Sequence, residues 1–124
     1  MLAKKLKSYN GSVALMSFNS DIIKYIRKSN LLKGFPLGLT TSFPKIENIS
    51  NRIKNNKIEN DIILNKLQFI SQDWKGIKNR RFKRLKKLDI VILSWTITSK
   101  EIENRLRGFV DNITFEHYDP DLRE

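Results

Sequence analysis

Five short apolar runs punctuate the chain: "SVALMSF" (12–18), "FPLGLTTS" (35–42), "LQFISQDW" (67–74), "DIVILSWTI" (89–97) and "NITFE" (112–116). Each is too short for a buried helix and is bounded by turn or capping residues, so each predicts a strand. The first, continuous in its apolar character, predicts a strand buried on both faces.

Between the runs the apolar residues recur every three or four positions. Residues 2–9 read as the tail of a helix, closed by Asn10-Gly11, the pair best suited to a left-handed cap. Asn19 or Ser20 caps a helix over 21–29, with Ile22, Ile23 and Ile26 on one face. The Asn-rich stretch 44–57 predicts a loop or weak helix, and 58–65 a helix. A helix over about 77–88 turns Phe82, Leu85 and Leu88 inward. Ser99 caps another over about 100–108, which Gly108 closes.

Strands alternating with helices of this length predict repeated βα units, an α/β class and a parallel sheet. No linker or break in composition divides the chain, and no sequence repeat stands out. Two architectures accept such units: a doubly wound open sheet and a (β/α)8 barrel. The nucleotide-binding form of the first needs a glycine-rich first turn, which this chain lacks. In the barrel the C-terminal strand ends carry the chemistry. Ser17-Phe18, Gln72-Asp73 and Ser94-Trp95 all stand at such ends.

Composition narrows this further. The chain has 124 residues, 40% of them hydrophobic, enough for one small domain with a modest core. Absence of cysteine excludes a disulfide framework, a thiolate-held zinc and a thiol nucleophile. It fits a reducing compartment, and with no apolar signal core and no run near the ~20 residues of a spanning helix the expected location is cytoplasmic. The net charge of +11 attracts polyanions in general. A blander source competes with a binding role: Lys, Asn and Ile together are what an A/T-rich coding sequence produces.

With its elements in this order, the chain resembles the C-terminal half of a glycerophosphodiester phosphodiesterase domain over nearly its whole length. "VALMSFNSDIIKYIRK" resembles the family's strand ending in Ser-Phe with its amphipathic helix, and "FPLGLTT" the next strand with its Gly-Leu pair. "LDIVILSWTITSKEIENRLRGFVDNITFEHYDPDL" resembles the closing segment, a strand ending in Trp-Thr, a helix, then a D-x-I-x-x-E strand. The resemblance implies the C-terminal portion of a TIM barrel and hydrolysis of a glycerophosphodiester to glycerol 3-phosphate and an alcohol. It also implies that Ser17, Phe18 and Trp95 line the substrate mouth, Phe18 against the glycerol or alcohol moiety. Trp95 would add an apolar wall and one N–H donor. The plainer alternative makes Ser17 a strand-end cap, and Phe18 and Trp95 packing residues.

The family's catalytic apparatus lies in its N-terminal half: a His-Arg-Gly strand end, metal-binding Glu and Asp, and a second His. Those two His act as general acid and base while a divalent cation, often Ca2+ or Mg2+, holds the phosphate. This chain has one histidine, His117, outside both motifs, and lacks the Lys of the family's E-x-K strand. By the resemblance it supplies no catalytic residue and binds no cation alone. At about half the ~250 residues of a barrel, residues 1–124 are expected to be a truncated or split form, or an internal start. Half a barrel has two open edges and an uncovered inner face. The expected remedies are a separately encoded N-terminal half or self-association; failing both, the chain aggregates.

Two other features have bland readings. Glu116, His117, Asp119 and Asp121 are metal-binding types, but spacing in a tail is undemanding and a solvated tail is the expectation. The basic segment "KGIKNRRFKRLKKL" (75–88) offers an alternative function, a nucleic-acid-binding module. No aromatic residues interleave on its exposed face, so the solvated outer face of a barrel helix is expected and nucleic acid is not the expected partner.

Overall fold

The computed structural model describes residues 1–30, 32–42, 49–77 and 80–121, and for 49–56 and 80–82 the backbone alone. Each apolar run contains a strand, and the five pair side by side in chain order, all parallel: β1 (Leu15–Ser17), β2 (Leu37–Thr41), β3 (Phe69–Asp73), β4 (Val91–Ile97) and β5 (Asn112–Phe115). A short helix α1 (Leu2–Lys7) precedes them. Helices α2 (Ser20–Ser29), α3 (Ile49–Leu64), α4 (Arg80–Leu85) and α5 (Lys100–Leu106) alternate with the strands. These are the expected βα units of a partial TIM barrel. Among the described residues the sheet is not closed, and β1 and β5 each have a strand on one side only.

Register decides what each strand residue faces. Leu39, Ile70 and Ile92 stand in one row across β2, β3 and β4. They pack with Ile23 of α2, Ile62 of α3, Leu85 of α4 and Leu106 of α5 in one core. Side chains one position earlier point the other way, so Met16, Gly38, Phe69 and Val91 form a row on the face away from that core. At its flanks this row is open: Met16 is 56% and Val91 47% exposed. The expectation that the first strand is buried on both faces is therefore corrected. β1 is a three-residue edge strand with one covered face.

Caps set the helix starts. Asn19 rather than Ser20 caps α2, its Oδ1 accepting the Asp21 N–H at 2.8 Å, and Asn30 ends that helix at φ 55°. Ser99 caps α5 by accepting the Ile102 N–H at 3.3 Å. α1 stops at Lys7, before Asn10-Gly11, with the Ser8 hydroxyl donating to the Lys5 carbonyl. The weak helix and the helix expected at 44–57 and 58–65 form one element, α3, while residues 43–48 lie outside the described residues. The expected helix over 77–88 is α4 followed by a 3-10 turn at Lys86–Leu88. Leu85 is buried in the core and Leu88 packs against it; the Phe82 side chain lies outside the described residues.

At the N-terminal end of the strands Arg27 fastens α2 to its neighbours. Its Nε donates to the Asn65 carbonyl at 2.8 Å, and its Nη2 to the Lys66 carbonyl at 3.0 Å and Gln68 Oε1 at 3.3 Å. These carbonyls follow the last turn of α3, where helical partners run out and a cation is favoured. Gln68 Oε1 also accepts the Leu37 N–H, so one cluster fixes the entry to β2 and β3.

Gly38 has a packing reason. The Phe69 ring lies over it, and a Cβ at position 38 would meet that ring well inside van der Waals contact. Gly38→Ala is expected to displace Phe69 and lower stability by about 1–3 kcal/mol, the usual range for overpacking. The shift of the urea unfolding midpoint measures it.

Candidate functional site

The C-terminal strand ends gather the residues singled out above. Phe18, just past β1, is 65% exposed. Trp95, in β4, is half-buried, and the two rings meet edge to face with centroids 5.7 Å apart at 88°. β1 and β4 are three strand intervals apart, roughly 14 Å in a flat sheet. The contact therefore requires a strongly curled sheet, with both rings on its open side. Aromatic pairs favour this edge-to-face arrangement.

A hydrogen bond fixes the indole: Trp95 Nε1–H donates to the Ser71 carbonyl oxygen at 3.1 Å. The donor that the sequence offers to a ligand is thus spent within the fold, and Trp95 contributes surface. Ser71 had no sequence signal, because it acts through its main chain. Near Trp95 the β4–β5 register shifts between Ser94 and Ile97, and the Trp95–Thr96 peptide is cis.

The serines at these strand ends face the other way. Ser17 is in register with Leu39, on the core side, and its Oγ accepts the Asn19 N–H at 3.1 Å. Ser94 is buried in a row with Thr41 and Gln72. Its hydroxyl donates to the Gln72 carbonyl at 3.1 Å, and Thr41 Oγ1 donates to Gln72 Oε1. Asp73 is in register with Trp95, and its Oδ1 accepts the Lys75 N–H, capping a 3-10 turn at Trp74–Gly76. The structure therefore brings Phe18 and Trp95 together and places Ser17 on the opposite face.

The C-terminal tail is fastened rather than free. Tyr118 OH donates to Glu103 Oε2 at 3.2 Å, and Lys100 Nζ bridges Glu103 Oε1 and the Pro120 carbonyl at 3.2 and 2.6 Å. Glu116 and His117 contact each other at 3.2 Å on the surface, and Asp119 Oδ1 accepts the Asp121 N–H. Among the described residues no three His, Asp or Glu side chains are grouped to hold a metal. They do not fit the divalent cation that the resemblance implies for a complete domain.

Several cations of the basic segment are engaged within the fold. Lys86 Nζ donates to the Gly108 carbonyl at 2.8 Å, Arg84 pairs with Glu59 at 3.1 Å, and Lys75 lies over the Trp74 ring. Lys78 and the Arg80 and Arg81 side chains lie outside the described residues. Among the described residues no helix is long and apolar enough to cross a membrane.

No protein-family model matches the chain, and no curated protein matches it. Solved structures do. A glycerophosphodiester phosphodiesterase of Thermotoga maritima aligns with a TM-score of 0.64 at 15% identity, over 92% of this chain and 47% of its own. A protein assigned as a glycerophosphoryl diester phosphodiesterase, from Silicibacter pomeroyi DSS-3, aligns with a TM-score of 0.60 at 14% identity, over 82% of this chain and 33% of its own. The chain has the fold of part of a glycerophosphodiester phosphodiesterase. It spans less than half the length of either protein, and at these identities the likeness concerns fold.

The tail yields a pH prediction. Burial, then the bond to Glu103 and its charge, push the Tyr118 hydroxyl up to about 12. Burial raises the Glu103 carboxyl, but the bonds from Lys100 and Tyr118 and the charges of Lys100 and Arg107 prevail and leave it lowered. A folded-state pKa above the ordinary 10 means the Tyr118 contribution is complete below pH 10 and lost as pH rises toward 12. Tyr118→Phe is expected to cost about 1 kcal/mol at neutral pH. It should also flatten the alkaline fall in stability over that window, read from urea unfolding across pH.

Proposed function

We propose that the chain forms the substrate-lining portion of a cytoplasmic glycerophosphodiester phosphodiesterase barrel, whose reaction in lipid metabolism yields glycerol 3-phosphate and an alcohol. The observation that carries this reading is the Phe18–Trp95 pair, standing at C-terminal strand ends on the open side of a sheet that shares its fold with one such enzyme and with a second protein so assigned. Active sites of barrels lie at that end. The exposed Phe18 ring offers an apolar face to the glycerol or alcohol carbons, with Trp95 as the wall behind it. Ser17 acts through the turn: by accepting the Asn19 N–H it sets where Phe18 leaves the strand.

Proton transfer at the phosphodiester needs an acid and a base within hydrogen-bond reach of the reacting oxygens. The only histidine, His117, is exposed in the tail and paired with Glu116. The acid, the base and the cation therefore belong to the remainder of the barrel, and this chain's part is to bind and orient.

Two outcomes test the reading. The chain alone, with glycerophosphocholine and Ca2+ or Mg2+, should release no glycerol 3-phosphate above buffer; clear turnover would contradict it. In a completed barrel Phe18→Ala should raise KM about tenfold, near 1.4 kcal/mol of lost binding, with kcat changed little. Phe18 is largely exposed but meets the Trp95 ring, so the same substitution should lower folding stability by about 0.5–1.5 kcal/mol, the worth of an edge-to-face aromatic pair.

A further inference from the structure

At the N-terminal ends of the strands, away from Phe18 and Trp95, α2 stops at Asn30 and the chain doubles back through two turns. The Lys33 N–H donates to the Asn30 carbonyl and the Phe35 N–H to the Leu32 carbonyl, each at 3.4 Å. Gly34, in the second turn, takes φ 98°, which glycine adopts without strain. The last turn of α2, these turns and the start of β2 enclose a cavity of about 150 Å³. Ile26, Leu32, Phe35 and Leu37 form apolar walls, and Arg27 and Lys33 supply charge. We propose that this cavity binds a small free monocarboxylate with an apolar body of about six carbons. The site stands whether or not the chain serves a phosphodiesterase.

Charge is the first support. Arg27 spends its bonds on neutral acceptors: Nε on the Asn65 carbonyl, Nη2 on the Lys66 carbonyl and Gln68 Oε1. Among the described residues Nη1 has no partner, and neither Arg27 nor Lys33 pairs with a carboxylate. No carboxylate lines the cavity either. A half-buried guanidinium held only by dipoles retains its charge for an anion. The C-terminal end of α2 opposes this with roughly half a negative charge. Two full positive charges outweigh it.

Volume is the second support. A cavity of about 150 Å³ with Leu, Ile and Phe walls accommodates benzene, whereas a drug-sized ligand needs about 300 Å³ or more. Inorganic phosphate would leave the apolar walls unused, and a hydrocarbon would leave the cations unanswered. A carboxylate on a compact apolar body meets both, its oxygens on Arg27 Nη1 with Lys33 Nζ as the second cation.

Benzoate is the probe, titrated into the isotopically labelled full chain. The methyl signals of Ile26, Leu32 and Leu37 should shift saturably, with a Kd in the millimolar range or below. Those of Ile97, at the other end of the sheet, should stay in place. Benzyl alcohol, neutral and of like shape, and inorganic phosphate should each bind at least about tenfold more weakly. Arg27 is kept intact because it fastens α2 to the end of α3. Lys33→Glu, at an exposed position, should leave the melting temperature unchanged and weaken benzoate binding at least about fivefold. Equal binding of benzyl alcohol would overturn the proposal by showing a cavity indifferent to charge, and equal binding of phosphate by showing surface cations alone. No saturable shift up to about 20 mM benzoate, or an affinity untouched by Lys33→Glu, would overturn it as well.

Discussion

The in-step parallel pairing of β2, β3 and β4 is the constraint on which the rest of the structure depends. It sends Leu39, Ile70 and Ile92 to the helices and Gly38, Phe69 and Val91 to the other side. Side chains alternate with period two, so a slip of one residue would exchange the rows. Phe69 would then enter the helix layer and Ile70 would face outward. The result is a sheet finished on one face by its own helices, while the other face ends in exposed Met16 and Val91.

Polar groups reinforce the register at the strand ends. Thr41, Gln72 and Ser94 lie in one row and are buried, a placement that costs free energy unless each polar atom finds a partner. They bond to one another and to the main chain: Thr41 to the Gln72 side chain, Ser94 to the Gln72 carbonyl, and the Gln72 amide to the Asp73 carbonyl. A slipped strand would leave these groups buried without partners. The row is satisfied only in the register that also carries Asp73 and Trp95 side by side at the strand ends. Position of the aromatic pair and integrity of the sheet are thus set by the same bonds.

Signals local to the chain were legible. The five strands, the caps at Asn19 and Ser99 and the aromatic strand ends follow from run length, period and neighbouring residues. Features that depend on distant main-chain atoms were not. Arg27 gives no sign that its targets are carbonyls at the end of α3, nor Trp95 that its N–H is used by Ser71. The exposure of Met16 was hidden for another reason. An apolar run reads the same whether its second face is covered by its own helices or by strands from elsewhere. The Asn-rich part of α3 reads as a weak helix because propensity there is poor, and packing of the later turns through Ile62 overrides it.

The pairing of a polar with an aromatic residue at strand ends, Ser17-Phe18 and Ser94-Trp95, follows from the same alternation. In both cases the serine turns to the core side, where Ser17 takes the Asn19 N–H and Ser94 reaches the Gln72 carbonyl. The aromatic that follows is thereby sent to the open side. Two strands three intervals apart, each ending in this order, present their rings to one another as the sheet curls. With the order reversed in either strand, the ring would be directed into the helix layer and a hydroxyl would face the open side. The serine positions thus go with the side on which the aromatic surface appears.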